Sequence, residues 1–162
     1  MSAGRANMYW HIANQIPDHE GYQGGVTLQR RVRVSSAELL ALATTAKELV
    51  PAPGANKVLE FVSAVIKLNA GTAYAEPSAP DEMVIQYSGG QDASTEIDAT
   101  SFLDQTDDEI RLALANETVL ASTVDLEALK DTSLVLFNSG SNWTGGTGTL
   151  DVRINYRVHD FS

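Results

Sequence analysis

The side chains that could perform metal or acid–base chemistry are few and scattered in this sequence. The three histidines are His11, His19 and His159, and none stands at an H-x-x-H or H-E-x-x-H spacing typical of zinc sites. The absence of cysteine excludes disulfides, thiolate catalysis and cysteine-ligated metals. We therefore expect no metal site, and we interpret each histidine as an exposed or interface residue.

Nucleophile and phosphate-binding motifs are also missing. The sequence has no G-x-S-x-G motif, which marks one common type of serine nucleophile. The glycine-rich segment 145–148 lacks the lysine of a P-loop and does not open a helix after a buried strand. We interpret it as a flexible turn into the last strand. No enzymatic activity and no cofactor are expected.

An acidic run at 104–109 is the remaining candidate for ion binding. It lacks the spacing of an EF-hand loop, its central glycine and the glutamate at the twelfth position. A solvated turn whose acidic residues cap the next element is favoured over a calcium site.

Composition predicts one acidic domain. The chain has 162 residues, enough for a single core, and a net charge of −10 that argues against general nucleic-acid binding. No apolar run is long enough to span a membrane, and residues 1–15 lack the apolar region of a secretory signal. Residues 1–34 carry four arginines against Asp18 and Glu20, so a mildly basic front precedes an acidic remainder. Solubility alone would also explain the acidity.

Alternation of apolar and polar residues predicts strands from residue 26 onward. The first strand has Val26, Leu28, Val32 and Val34 on one face, with Arg30 as the exception. Residues 57–68 are apolar on both faces in places, which indicates a central strand or a strand that bends. The last strand alternates most regularly, with an apolar face formed by Leu150, Val152, Ile154, Tyr156 and Val158.

Shorter strands and turns fill the rest of the domain. Strands are predicted at 83–88, 109–115, 118–122 and 133–137, separated by turns at 51–56, 87–92 and 139–149. A capping-box pattern at 35–38 predicts one short helix, and 125–130 is a second candidate. The fold expected for 26–162 is all-β, an antiparallel β-sandwich of jelly-roll-like type.

Residues 1–25 show no periodicity and are interpreted as an extended, irregular N-terminal arm. Large apolar side chains in a glycine-bearing arm suggest a segment that becomes ordered against a surface. The alternative is that the arm folds back on its own domain. The candidate partner-binding anchors are Met8, Tyr9, Trp10, Ile12, Ile16 and Tyr22.

Residues 34–58 read V-S-S-A-E-L-L-A-L-A-T-T-A-K-E-L-V-P-A-P-G-A-N-K-V. This stretch resembles a group of tailed-bacteriophage virion structural proteins encoded near the major capsid gene. In that group a strand leads into an A-x-x-L-x-L turn, and L-V-x-A-P-G-A-x-K-V then enters a long strand. Residues 154–158 are similar to the end of the same group, whereas 1–25 lie outside the resemblance. The matching residues here are Ala37, Leu40, Leu42, Leu49, Val50, Ala52, Pro53, Gly54, Ala55, Lys57 and Val58.

The resemblance implies a virion structural protein, and more specifically a head decoration or cement protein of jelly-roll type on the outer surface of the capsid. Its partners would be the major capsid protein and itself, as a homotrimer or alternatively a homodimer, with neither nucleic acid nor membrane. No catalytic residues come with the resemblance. A tail or fibre component is one alternative. Another is a carbohydrate-binding β-sandwich in which Trp143 stacks on a sugar, although Trp143 could equally anchor its loop on a sheet edge.

Overall fold

A computed structural model describes residues 26–77, 82–116 and 124–162. The arm at 1–25 and the strand predicted at 118–122 lie outside these residues. The described helices are α1 (Ser36–Leu40) and α2 (Leu126–Leu129). The described strands are β1 (Leu28–Val34), β2 (Lys47–Val50), β3 (Lys57–Asn69), β4 (Tyr74–Ala75), β5 (Glu82–Tyr87), β6 (Ile97–Asp98), β7 (Glu109–Leu114), β8 (Leu134–Asn138), β9 (Thr144–Gly145) and β10 (Thr149–Asp160).

Eight of these strands form two four-stranded antiparallel sheets. Sheet A has the order β1-β10-β3-β7 and sheet B has the order β2-β8-β5-β6, while β4 and β9 form a small third sheet. The pairs β1/β10, β2/β8, β3/β7 and β5/β6 are those of one long hairpin rolled up on itself. That winding is the jelly roll. The predicted all-β antiparallel sandwich is confirmed.

The core lies between the inner faces of the two sheets. Leu150, Val152 and Ile154 of β10 are fully buried, as the alternation predicts, and each contributes about 1.5–3 kcal/mol through burial. The first strand follows its prediction only in part. Val34 is buried, but Leu28 is 40% exposed, because β1 lies at a sheet edge and its first residues have little to pack against.

A β-bulge explains why residues 57–68 are apolar on both faces. Ser63 pairs with Asn155 and Phe61 pairs with Tyr156, so Val62 is the extra residue of β3. The extra residue changes which positions face the core. Odd-numbered Phe61 faces inward on one side of the bulge and even-numbered Ala64 on the other, and both are 1% exposed. Of the two structures predicted for this segment, a central strand or a strand that bends, β3 is a central strand, between β10 and β7.

The predicted helix start and turn also form as expected. The Ser35 hydroxyl accepts the Glu38 N–H, and the Glu38 carboxylate accepts the Ser35 N–H. The turn before β3 has Gly54 at φ 100°, a left-handed conformation that glycine adopts without steric cost. The Lys57 N–H closes this turn on the Gly54 carbonyl.

Candidate interaction surface

The outer face of sheet A, the side turned away from the core, carries the most unusual surface of the described residues. Because side chains alternate along a strand, the partners of every second residue line up across the sheet on this face. Read from β7 to β1, the first row is Leu114, Ser63, Asn155 and Gln29. The second row is Leu112, Val65, Arg153 and Arg31, and the third is Ile110, Lys67, Asp151 and Arg33.

Strand β7 presents three large apolar side chains to solvent. Ile110, Leu112 and Leu114 are 58%, 66% and 59% exposed, whereas Ala113 on the opposite face is fully buried. Single exposed leucines are ordinary, but a contiguous exposed apolar patch marks an interaction site or an aggregation liability. We call Ile110, Leu112 and Leu114 the apolar stripe.

Neighbouring segments cover part of the edge of β7 but leave the stripe open. The Thr95 N–H donates to the Leu114 carbonyl at 2.9 Å, and the Asn116 N–H donates to the Ala93 carbonyl at 3.0 Å. Arg111 stacks over the Phe102 ring at 4.7 Å on the core side of the strand. Pairing and cover of this kind reduce edge-to-edge aggregation. The side-chain face, rather than the main-chain edge, is therefore the more accessible feature of β7.

The other half of the outer face is basic. The Asp151 carboxylate accepts hydrogen bonds from Arg31 at 3.1 Å and Arg33 at 3.0 Å, and its other partner is the Asn69 amide at 3.2 Å. Its side chain is 12% exposed, while those of Arg31 and Arg33 are 61% and 62% exposed. Arg153 has no ion-pair partner among the described residues. One carboxylate thus holds two guanidinium groups on the surface beside a third, unpaired one.

The Asp151 cluster predicts a pH-dependent contribution to stability. The hydrogen bond from Arg33, followed by those from Asn69 and Arg31, holds the pKa of Asp151 well below its usual range. A carboxylate with a lowered folded-state pKa stabilises the fold above its unfolded pKa, and this contribution is lost as the pH falls toward the folded value. We expect Asp151→Asn to lower the free energy of unfolding by about 1–2 kcal/mol at pH 7. The deficit should shrink below about pH 4, where the unfolded aspartate takes up its proton.

Urea denaturation of Asp151→Asn and the parent protein at pH 7 and pH 3 measures this deficit. Glu38→Gln is a useful second variant, because a hydrogen bond from Lys47 and another from the Ser35 N–H lower the pKa of Glu38 to about 2. Its stability deficit should shrink over a similar acidic range. A deficit for Asp151→Asn that is equal at both pH values would contradict the role assigned to the carboxylate.

The outer face of sheet B has the opposite charge. Its outward strand positions include Glu48, Glu82 and Asp98, with no lysine or arginine among the described ones, and Glu82 lies directly opposite Asp98 in the register. A shallow depression on this face is lined by Glu82, Val84, Gln86, Asp92, Glu96, Phe137 and Ser139. Burial, and then repulsion from Glu96, raises the pKa of Asp92. The carboxylates are therefore crowded on this side of the sandwich.

The structure places the residues singled out from sequence in different ways. The arm anchors at 1–25 lie outside the described residues. Trp143 is 2% exposed and is among the largest fully buried side chains, so the sugar-stacking interpretation is wrong because the ring presents no face to solvent. In the acidic run, Asp108 pairs with Lys67 at 2.6 Å and accepts the Ala70 N–H at 2.9 Å, so it contacts the end of β3 rather than the element that follows the run.

Ion and membrane sites are not apparent in the part of the chain that the structure describes. Its His, Asp and Glu residues form no group of three or more that could hold a metal ion. His159 instead lies 2.6 Å from Glu60, which also pairs with Arg157 at 3.1 Å. None of the described helices has the length and apolarity needed to cross a membrane. The apolar stripe cannot be identified from sequence alone, because alternating large apolar residues are typical of a strand face that packs on the core.

No family model matches the sequence, and a search of curated proteins finds no match either. Two solved structures show a distant likeness. One, described as "Cyanophage Pam1 capsid asymmetric unit", has a TM-score of 0.44 and 11% identity, over 85% of this chain and 87% of that chain. The other, "Capsid of Ralstonia phage GP4", has a TM-score of 0.38 and 12% identity, over 83% and 85% of the two chains. Likenesses this distant assign no role to the chain.

Proposed function

We propose that the chain is a non-enzymatic structural protein of a tailed-phage virion. In this proposal it is a decoration or cement protein that sits on the outer surface of the capsid and stabilises the assembled head. The observation that supports an assembly role is the apolar stripe beside the basic cluster of Arg31, Arg33 and Arg153. A surface of this kind serves contact with another macromolecule. The sequence resemblance at 34–58 supports the virion setting.

The arm at 1–25 would make the contact with the major capsid protein. It joins the sandwich just before β1, at the edge of sheet A. Trp10 and Tyr9 are of the types that dominate interface energetics. A partner that binds only the assembled shell stabilises that shell by mass action, which is the physical basis of cementing.

Deletion of residues 1–25 tests this proposal. We expect the deleted protein to melt at an unchanged temperature and to lose co-sedimentation with undecorated capsids of the parent virus. Trp10→Ala should weaken attachment by about 2 kcal/mol or more, the scale of an interface hot spot. Phe161→Ala is the matched control, because Phe161 is an aromatic residue near the other terminus and is 52% exposed.

The alternatives give different results in the same experiment. If the arm packs on its own domain, the deletion should lower the melting temperature, because apolar surface is uncovered. Co-sedimentation with purified tails rather than heads would move the proposal to a tail or fibre component. A deleted protein that melts unchanged and still binds capsids would overturn the role of the arm.

A further inference from the structure

We infer that the outer face of sheet A docks onto the outer face of sheet B of a second copy, so that copies associate head to tail. This deepens the proposed function by naming the surfaces through which copies meet. It does not depend on the capsid, since the contact would form between copies in solution.

Charge complementarity favours a second copy as the occupant of these faces. On the outer face of sheet A, the basic side chains outnumber the carboxylates. The basic ones are Arg31, Arg33, Lys67, Arg153 and Arg157, and the carboxylates are Asp151, Glu60, which pairs with Arg157, and Asp108, which pairs with Lys67. Among the described residues, the charged side chains on the outer face of sheet B are acidic; they are Glu48, Glu82, Asp92, Glu96 and Asp98. Opposite potentials of this kind orient partners and suppress wrong pairings. Each copy of the chain carries both the basic face and the acidic face.

The apolar parts of the two faces also correspond. The apolar stripe on β7 lies next to Val65 on the basic face. On the acidic face, the buried Val84 lies opposite the half-buried Phe137, and both line the depression together with the carboxylates of Glu82, Asp92 and Glu96. An apolar centre with a charged rim is the usual anatomy of a protein interface. The apolar stripe of one copy would cover this depression on the other, and the arginines of the first would pair with the carboxylates of the second.

Contacts between two identical faces are disfavoured. Two sheet A faces would bring Arg31 and Arg153 of both copies together, and two sheet B faces would do the same for Glu82 and Asp98. Each copy also carries a net charge of −10, so copies repel one another unless the basic face meets an acidic one. The two outer faces lie on opposite sides of the sandwich. A head-to-tail contact therefore uses each face once and stacks copies one on another.

A mixing experiment with two face-specific variants tests the contact. Leu112→Glu places a charge in the apolar stripe at a residue that is 66% exposed and therefore does not disturb the core. The double variant Glu96→Lys and Asp98→Lys reverses the charge of the sheet B face at two exposed positions. Each variant alone loses one face and keeps the other. Sedimentation equilibrium of each, and of their equimolar mixture, reports which faces pair.

We expect the parent full-length protein to self-associate and each variant alone to associate about tenfold or more weakly. The mixture should recover a heterodimer, because one variant contributes an intact sheet B face and the other an intact sheet A face. Raising the salt concentration should weaken this heterodimer, since its charge pairs are screened. Leu126→Glu and Glu127→Lys are matched controls, since Leu126 is 40% exposed and the Glu127 side chain is 72% exposed outside both faces.

Other results would overturn the inference. A parent protein that stays monomeric at high concentration shows that no second copy covers the stripe. The arm or the capsid protein would then be its occupant. One variant that associates alone as strongly as the parent while the other fails indicates contact between identical faces. Variants that fail alone and also fail as a mixture contradict the pairing of the two faces. A parent full-length protein that self-associates but does not co-sediment with undecorated capsids would refute the proposed function while leaving this contact standing.

Discussion

Replacing Trp143 by alanine should lower the free energy of unfolding by about 3–5 kcal/mol, the range for removal of a large aromatic side chain from a core. Trp143 is 2% exposed although it lies in the loop between β8 and β9. The next residue back, Asn142, accepts the Ala43 N–H at 2.9 Å, which ties this loop to the segment after α1. The indole thus fills a core site whose walls cannot easily collapse.

Chemical denaturation of Trp143→Ala and Trp143→Phe would measure this effect. The phenylalanine variant is the control, because it keeps an aromatic ring and removes an indole N–H that has no hydrogen-bond partner within the described residues. A buried donor without a partner carries a desolvation penalty. Removing this donor therefore offsets part of the unfolding free energy that is lost with the smaller side chain. A Trp143→Ala protein as stable as the parent would show that the loop does not pack as described.

Gly146→Ala should be the most damaging glycine substitution in the turn between β9 and β10. Gly146 has φ 76°, and a Cβ placed on it would overlap the Tyr74 ring. The ring cannot move away easily, because the Tyr74 hydroxyl donates to the Gly148 carbonyl at 2.6 Å. Left-handed backbone costs about 1–2 kcal/mol for a residue with a Cβ, and overpacking adds about 1–3 kcal/mol. The expected loss of unfolding free energy is the sum of these two effects.

The adjacent glycine supplies the matched control. Gly145 has a similar φ of 64°, but a Cβ there would meet no atom within 4 Å. Gly145→Ala should therefore show the backbone cost alone, about 1–2 kcal/mol. The difference between the two melting curves isolates the clash with Tyr74. Equal losses in both variants would mean that the ring yields and that only backbone conformation matters.

The long elements could be predicted from sequence because their patterns are strong. The alternation of β10, the mixed faces of β3 and the capping box at Ser35 each follow from side chains that interact locally or face one core. Strands β4, β6 and β9 have two residues each, which is too short for any period. Strand β2 has four residues and is followed directly by the turn predicted at 51–56. Its pattern is therefore too short to distinguish it from that turn.

The exposed face of β7 could not be predicted from the composition of the strand. Strand β7 was predicted, but the residues 109–114 read Glu-Ile-Arg-Leu-Ala-Leu, and the larger apolar set would normally face the core. The structure instead buries Ala113 and turns Leu112 outward. Alternation defines two faces, but it does not say which one is buried. Only the register with β3 and the position of β7 at the sheet edge decide this.

The rolled-hairpin winding has a consequence for how the protein is made. Strand β10 lies between β1 and β3, so it completes the centre of sheet A although it follows all the other described strands along the chain. Until it emerges from the ribosome, the nascent β1 and β3 have no neighbour to bridge them. Topologies dominated by such distant pairings fold slowly, on the millisecond-to-second scale. The unfinished chain would expose apolar strands during translation, which makes it prone to aggregation at that stage.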